Sequence, residues 1–136
     1  MKNKGTFPNR ILITEDHSII RRTLRDWLGE EYPGLRVTEA SNGEDALKIL
    51  ETRPLPELVL MDFHLPGRSG IDISQEIKAK HPELPVVILT IQEDDQYQAK
   101  AFEAGIDGYV VKRKMYTDLI PTISALFNSE TEEGVM

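Results

Sequence analysis

Two hydrophobic patterns alternate along this chain, and together they predict an α/β fold. Short runs rich in β-branched residues, bounded by proline, glycine or polar residues, predict five strands. The runs lie at about 10–15, 35–40, 57–61, 85–90 and 108–111. Four of them are almost continuously apolar, which is typical of strands buried on both faces of a sheet. Thr38 and Glu39 make the second run more polar, so we expect it at the edge of the sheet.

A helical pattern follows each of these runs. Apolar residues recur at helical spacing most clearly after the first and fifth runs, at Ile20, Leu24, Trp27 and Leu28, and at Leu119, Ile123, Leu126 and Phe127. Ser41 with Glu44 resembles a capping box and predicts the start of the second helix. Five strand–helix units in strict alternation predict a parallel sheet covered by helices on both faces and joined by right-handed crossovers.

Length and charge narrow the class of protein. A chain of 136 residues forms one domain with a sizeable core. We expect residues 1–8 to be a disordered N terminus, 9–128 to be the folded domain, and 129–136 to be a tail or the start of an interdomain linker. The net charge of -7 argues against direct binding to nucleic acid or to an anionic membrane.

The residue content also bears on location. The chain has no cysteine, which excludes disulfides and thiolate metal sites and makes a reducing cytoplasm the expected compartment. No apolar run approaches the ~20 residues needed to cross a bilayer, and the first residues lack the apolar core of a signal peptide. We therefore expect a cytoplasmic protein with no membrane partner.

Charged or hydroxyl side chains end four of the five predicted strands. Glu15 and Asp16 follow the first strand, Asp62 ends the third, Thr90 ends the fourth, and Lys112 follows the fifth. Open parallel sheets bind ligands outside the carboxyl ends of their strands, where the strand order reverses. We therefore expect these side chains, which are far apart in sequence, to meet at one edge of the sheet.

These side-chain types suit a magnesium ion and a phosphoryl group. Magnesium prefers oxygen ligands, usually one or two carboxylates together with water and phosphate oxygens. Asp16 and Asp62 are the expected direct ligands, and Glu15 is expected to reach the ion directly or through water. A carboxylate oxygen of Asp62 can then attack phosphorus to form an acyl phosphate. Lys112 and Thr90 would each contact a phosphoryl oxygen, because phosphoryl transfer depends on positioning and charge neutralisation.

Four segments of the chain resemble those of a bacterial response-regulator receiver domain. They are ILITEDH at 11–17, VLMDFHLPG at 59–67, PVVILT at 85–90 and AGIDGYVVK at 104–112. The resemblance spans about residues 9–128. It implies a flavodoxin-like (βα)5 doubly wound sandwich with five parallel strands in the order 2-1-3-4-5.

The resemblance also implies a role for each site residue. Asp62 is the expected phosphoacceptor, and Glu15 and Asp16 are the expected acidic pair that binds Mg²⁺. The backbone carbonyl of His64 is the expected third protein ligand. The remaining roles fall on Thr90 as the switch hydroxyl, on Tyr109 as the switch aromatic, and on Lys112 as the lysine typical of the family.

The family's partner is a histidine kinase, whose phosphohistidine donates the phosphoryl group. The resemblance implies a phosphoacceptor and not an enzyme, since the domain catalyses only its own phosphorylation and dephosphorylation. Phosphorylation is expected to change the surface of the fourth helix, fifth strand and fifth helix. That surface would then meet a partner or a second copy of the chain, as in a homodimer.

Two details resemble receivers that precede a LuxR-type helix-turn-helix. Asp16 is followed by His17, and Lys112 is not followed by proline. We therefore expect a piece of a longer transcription regulator, which would bind DNA only through an output domain absent from this sequence. The alternatives are a stand-alone receiver that acts as a phosphorelay intermediate, or a protein-interaction module that works without phosphorylation.

Two other phosphate-related families share parts of this pattern. A haloacid-dehalogenase-type phosphatase also uses an aspartyl nucleophile with magnesium, but it carries Asp-x-Asp, and here position 64 is histidine. A flavodoxin shares the topology, but the first turn at 15–18 is acidic and lacks glycine, so it is poorly suited to bind a flavin phosphate. Neither family is the expected one.

Two residues near the site depart from the family pattern. Ile91 follows Thr90 where the family usually has a small residue, and we expect it to narrow access to Asp62. His64 is expected to modulate the lifetime of the phosphoryl group. His17, His64 and His81 lack the spacing of metal-ligand histidines, so no histidine zinc site is expected.

Overall fold

A computed structural model describes residues 7–135 of the chain and the side chains of residues 7–128. In this part, five strands alternate with five α-helices, as the hydrophobic patterns predict. The strands are β1 (Arg10–Thr14), β2 (Arg36–Ala40), β3 (Leu58–Asp62), β4 (Val86–Thr90) and β5 (Gly108–Val111). The helices are α1 (Ser18–Glu31), α2 (Gly43–Ile49), α3 (Gly70–Lys80), α4 (Asp95–Glu103) and α5 (Met115–Val135). A 3₁₀ turn at Lys112–Lys114 precedes α5.

The five strands form one parallel sheet in the order β2-β1-β3-β4-β5, which confirms the predicted (βα)5 sandwich. β2 lies at one edge and is partly exposed, as Thr38 and Glu39 predict, whereas every residue of β3 and β4 is buried. The chain passes from β1 to β2 and then returns to the other side of β1 to form β3. The carboxyl ends of β1 and β3 therefore flank the crevice at which such sheets bind ligands.

The core has two parts, one on each face of the sheet. Successive residues of a strand point to opposite faces, so Leu60 and Met61 belong to different parts. One face packs against α2, α3 and α4, through the buried residues Ala46, Ile73, Ile77 and Ala101. The other face packs against α1 and α5, through Leu24, Leu28, Leu119 and Ile123. Both faces of the sheet are thus covered, and its carboxyl edge carries the polar loops.

Two residues before the expected boundary at 9 pack against the folded domain. Phe7 and Pro8 are buried, and the ring of Phe7 stacks on Tyr32 with centroids 3.7 Å apart. The division into 1–8 and 9–128 stays a prediction. Residues 1–6 lie outside the described residues. The backbone of α5 continues to Val135, beyond the expected boundary at 128. The assignment of 129–136 to a tail or linker stays a prediction.

The second helix is capped by a residue other than the predicted one. The Ser41–Glu44 capping box is not formed as the cap of α2. The N-cap is Asn42, whose side-chain oxygen accepts a hydrogen bond from the backbone N–H of Asp45 at 2.8 Å. Asparagine and serine are about equally good N-caps, so the sequence alone did not decide between neighbours.

None of the helices in the described part of the chain combines the length and the apolar character that crossing a membrane needs.

The burial of β3 predicts a large loss of stability when its core side chains are shortened. Leu60 is fully buried. Leu60→Ala should lower the free energy of unfolding by about 2–5 kcal/mol, because it removes apolar contacts and leaves a cavity. Ile19→Ala is the control, since Ile19 is 77% exposed and surface changes stay within about 0.5 kcal/mol. Urea denaturation followed by Trp27 fluorescence measures both, and similar losses in the two variants would contradict this placement of the core.

Candidate functional site

Four strands deliver the predicted side chains to one edge of the sheet. Asp62 and Thr90 are the last residues of β3 and β4, Glu15 directly follows β1, and Lys112 directly follows β5. Backbone hydrogen bonds extend the ladder just past the strands, from Glu15 N–H to the Ala40 carbonyl at 3.0 Å and from Phe63 N–H to the Leu89 carbonyl at 2.9 Å. The site therefore rests on the rigid end of the sheet.

Lys112 joins the two buried carboxylates of the site. Its Nζ lies 2.9 Å from Glu15 Oε1 and 3.4 Å from Asp62 Oδ1. Glu15 is fully buried, and Asp62 is 2% exposed. Charges removed from water are costly unless they are paired. One ammonium between two carboxylates leaves this buried group with an excess negative charge. The structure thus brings together Glu15, Asp62 and Lys112 as predicted from their positions at the strand ends.

The two carboxyl groups have different proton affinities. Burial, together with the nearby charge of Glu15, raises the pKa of Asp62 to about 6, against the opposing effects of Lys112 and of the His64 backbone N–H. That N–H donates to Asp62 Oδ1 at 3.2 Å. Burial also disfavours ionisation of Glu15, but the hydrogen bond and charge of Lys112, together with contacts from His17, outweigh it and lower the pKa of Glu15. Glu15 is therefore the firmly ionised partner of Lys112.

The donor atoms at this edge fit a hard divalent cation. Ligand atoms of Glu15, Asp16, His17 and Asp62 lie within 4.8 Å of one another. Asp16 Oδ1 is buried but accepts no hydrogen bond from any residue that the structure describes. An unsatisfied buried carboxylate oxygen is costly without a partner, and three carboxylates supply the oxygen ligands that Mg²⁺ prefers. The residues present therefore suit the predicted magnesium site.

Known proteins share this fold. A profile of the response regulator receiver domain matches residues 11–124 of the chain. The chain belongs to the response regulator receiver family. Receiver domains act in two-component systems, where they interact with histidine kinases and bind Mg²⁺ at an acidic pocket.

The receiver is similar to proteins from several bacteria. It is 40% identical over 116 residues to the transcriptional regulatory protein PdtaR of Mycobacterium tuberculosis, covering 85% of this chain and 55% of the relative. A crystal structure of a LuxR-family two-component response regulator from Aurantimonas sp. SI85-9A1 has a TM-score of 0.81 at 33% identity, covering 90% of this chain and 86% of that one. The receiver thus spans about half the length of the curated relatives it matches.

A second solved structure bears on the ligands of the site. The response regulator TrrA of Thermotoga maritima, in complex with Mg²⁺-BeF, has a TM-score of 0.76 at 31% identity. It covers 87% of this receiver and 98% of its own chain. The relatives of the chain include transcriptional regulators.

His17 adjoins the acidic cluster and was not among the predicted site residues. Its Nδ1 lies 3.1 Å from Glu15 Oε2 and 3.4 Å from Asp16 Oδ1, and its backbone N–H also donates to Glu15 Oε2 at 3.1 Å. The signal in the sequence was its position directly after the acidic pair. The predicted ligation by the backbone carbonyl of His64 stays a prediction, although His64 does lie in the loop beside Asp62.

The two predicted switch residues both contact Gln92. Thr90 is fully buried, and its hydroxyl oxygen accepts a hydrogen bond from Gln92 N–H at 3.0 Å. The Tyr109 hydroxyl donates to the Gln92 carbonyl at 2.9 Å. The side chain of Gln92 also lies 3.4 Å from His64 Nε2. Among the described contacts, Thr90 is therefore hydrogen-bonded to the β4–α4 loop, and not to Asp62 or Lys112. No signal in the sequence pointed to Gln92.

A glycine permits the close packing of α3 against the site. A Cβ atom at Gly70 would overlap the backbone carbonyl oxygen of Asp62. The N–H of Gly70 donates to the Phe63 carbonyl at 2.8 Å, which ties the start of α3 to the end of β3. Gly67, between them, has a φ of 81° and so occupies the left-handed region that favours glycine. These two glycines allow the β3–α3 loop to fold tightly beside Asp62.

The raised pKa of Asp62 predicts a stability cost that depends on pH. This pKa lies at about 6 in the folded chain, against an ordinary value of 3.8. The contribution of Asp62 to the free energy of unfolding is therefore fully present below about pH 4 and is lost as the pH rises through about 6. Asp62→Asn removes the titrating group, so its advantage in free energy of unfolding over the wild type should grow by about 1–3 kcal/mol between pH 4 and pH 7.5.

Urea denaturation at both pH values, without divalent cations, measures this difference. Asp95→Asn is the matched control, because Asp95 is exposed at the start of α4. An advantage of Asp62→Asn that stays constant across this pH range would contradict the raised pKa.

Proposed function

We propose that Asp62 is the phosphoacceptor of this receiver and takes a phosphoryl group from a histidine kinase. The observation that carries the proposal is the buried group in which Lys112 Nζ lies 2.9 Å from Glu15 Oε1 and 3.4 Å from Asp62 Oδ1. A carboxylate oxygen of Asp62 attacks phosphorus as the bond from phosphorus to the histidine nitrogen of the donor breaks. The product is an acyl phosphate on Asp62, a known covalent use of a carboxylate.

We assign the Mg²⁺ ligands to Glu15, Asp16, Asp62 and the backbone carbonyl of His64. The buried Asp16 oxygen, which accepts no hydrogen bond from the described residues, and the clustering of the carboxylates support this assignment. When bound, Mg²⁺ supplies positive charge that offsets the repulsion between these carboxylates and an incoming phosphoryl group. Lys112 supplies the protein's own positive charge at the same place, and it is 16% exposed in its side chain, so its ammonium acts with little screening by water.

Thr90, Tyr109 and Gln92 form the switch in this proposal. In the structure the Thr90 hydroxyl oxygen accepts a hydrogen bond from Gln92 N–H, and the Tyr109 hydroxyl donates one to the Gln92 carbonyl. A phosphoryl group on Asp62 adds strong acceptor oxygens to which the Thr90 O–H can donate. When the Thr90 side chain turns to make that bond, its oxygen leaves the Gln92 N–H and the β4–α4 loop is released. The surface formed by α4, β5 and α5 then changes, which shifts a pre-existing equilibrium between two states.

In the proposal, this receiver controls an output domain. The similarity to PdtaR and to a LuxR-family regulator supports a transcription regulator that binds DNA through a domain outside this sequence. A homodimer through the α4–β5–α5 surface is the expected assembly. A stand-alone receiver and a phosphorylation-independent interaction module are the alternatives. The expectation of a cytoplasmic location rests on the composition.

Ile91 stays a predicted modulator of access to Asp62, and the residue is 67% exposed.

Phosphorylation by a small phosphodonor tests the proposal. Incubation with acetyl phosphate and Mg²⁺ should add one phosphoryl group, seen by intact mass spectrometry, and omission of Mg²⁺ should suppress it. Asp62→Asn should abolish the gain, whereas Asp95→Asn, which removes an exposed carboxylate, should keep it. A phosphorylated histidine kinase serves as a second donor. Phosphorylation of Asp62→Asn to the wild-type extent, or none in the wild type from either donor, would refute Asp62 as the phosphoacceptor.

The switch predicts that Tyr109→Phe favours the released state of the loop. The variant removes one hydrogen bond to the Gln92 carbonyl, worth about 0.5–1.5 kcal/mol, which corresponds to roughly a two- to tenfold change in the population ratio. Amide NMR shifts of 91–95, compared with and without phosphorylation, measure the populations. The control is Tyr116→Phe, since Tyr116 is 56% exposed. Identical spectra of Tyr109→Phe and wild type in both states would remove Tyr109 from the switch.

A further inference from the structure

A cleft lies at the edge of the sheet opposite the acidic cluster. Arg10 and Arg36 are the first residues of β1 and β2, so they mark the amino edge of the sheet, whereas Glu15 and Asp62 lie at its carboxyl edge. The cleft has a volume of about 560 Å³. Its lining consists of three arginines, two threonines and four apolar residues, and contains no acidic residue.

The arginines of this cleft lack carboxylate partners. Within the described residues, Arg10, Arg36 and Arg53 form no salt bridge. Four other arginines do pair with carboxylates, namely Arg21, Arg25, Arg68 and Arg113. In a chain with a net charge of -7, the positive charges of these three arginines are therefore not neutralised by the carboxylates of the described residues.

Two of these arginines are also direct neighbours across the sheet. Arg10 and Arg36 are register partners in the β1–β2 pair, and both line the cleft, so they present like charges on the same side. Like charges directly opposite each other destabilise a sheet. A bound anion would remove this repulsion, because it would place a negative charge against both guanidinium groups.

The hydrogen-bonding capacity of the arginines is largely unused. Arg10 donates from Nε to the Leu55 carbonyl at 3.4 Å, and Arg53 donates from Nη1 to the Thr52 carbonyl at 3.2 Å. Each guanidinium carries five N–H donors, in a planar arrangement that suits phosphate. The described contacts therefore leave most of these donors for a ligand.

Beside the arginines and the two threonines, the lining is apolar. The volume of the cleft limits the size of the ligand. Val37, Ile49, Pro54 and Pro56 supply surface that a planar ring can cover. The volume falls within the range of about 300–1,000 Å³ that is typical of small-molecule sites. Inorganic phosphate alone would leave this apolar surface uncovered.

We propose that the arginine cleft binds a small phosphate-bearing ligand of nucleotide size. Arg10, Arg36 and Arg53 hold its phosphate groups, and the apolar lining packs against its base. The cleft shares no residue with the phosphoacceptor site, so the proposal is independent of the one for Asp62.

An NMR titration of the whole chain with ADP, in the absence of divalent cations, tests this inference. Saturable shifts at submillimolar ADP are expected for the amides of Val37, Thr38 and Thr52, while the amides of Glu15 and Asp62 stay in place. Adenosine, which lacks phosphate, and pyrophosphate, which lacks the base, should each bind at least about tenfold more weakly. Equal binding of pyrophosphate or adenosine, or shifts confined to the carboxyl edge, would overturn the proposal, as would binding of polyglutamate as tight as that of ADP.

A matched pair of double variants separates the cleft from net charge. R36Q/R53Q should weaken ADP binding by at least about tenfold, because it removes two groups that make charge-assisted hydrogen bonds. R22Q/K100Q removes the same charge at exposed positions outside the cleft and should bind as the wild type does. Equal weakening in the two variants would show non-specific attraction and overturn the proposal.

Melting temperatures give a second measure. Without ligand, Arg36→Gln should melt at the wild-type temperature or a few degrees above it, because the repulsion with Arg10 is gone. Addition of ADP should raise the melting temperature of the wild type and leave that of the variant nearly unchanged. An equal rise in both proteins would count against the cleft.

Discussion

The contact of one lysine with two buried carboxylates governs the chemistry of this receiver. Glu15 and Asp62 lie out of water at the ends of neighbouring strands, and Lys112 reaches both from β5. Burial and the charge of Glu15 raise the pKa of Asp62 to about 6, while Lys112 lowers the pKa of Glu15. The excess negative charge favours a divalent cation. In the proposed function, Asp62 receives a phosphoryl group once such positive charge is present.

The sheet makes this arrangement possible because the apolar core and the charged groups lie in different parts of it. Its two faces are covered by helices, and residues such as Leu60 and Ile88 supply the buried apolar surface. The carboxyl edge then carries charged groups on short loops that are anchored to the strands. Thr90 stands at the boundary, because it ends a fully buried strand but bonds to the loop residue Gln92. In the proposed switch, a change at Asp62 moves this loop without disturbing the core.

The two edges of the same sheet carry opposite charge. Carboxylates gather at the carboxyl edge around Asp62, and unpaired arginines gather at the amino edge around Arg10 and Arg36. Each cluster is electrostatically unfavourable by itself, and in the two proposals a ligand of the opposite sign relieves the repulsion. In a parallel sheet all strands start at one edge and end at the other, so residues at strand starts and strand ends form two separate clusters.

The sequence by itself determined the strands, the sheet type and the meeting of Glu15, Asp62 and Lys112 at one edge, because hydrophobic periodicity decides which face is buried and parallel strands bring their ends together. Contacts made through loops depended on the tertiary structure, since no periodic pattern places a loop side chain. Thus His17 joined the acidic cluster, Gln92 joined the switch residues, and Asn42 capped α2. The pairing of Arg10 with Arg36 was likewise decided by strand register, which a single sequence does not encode in any one segment.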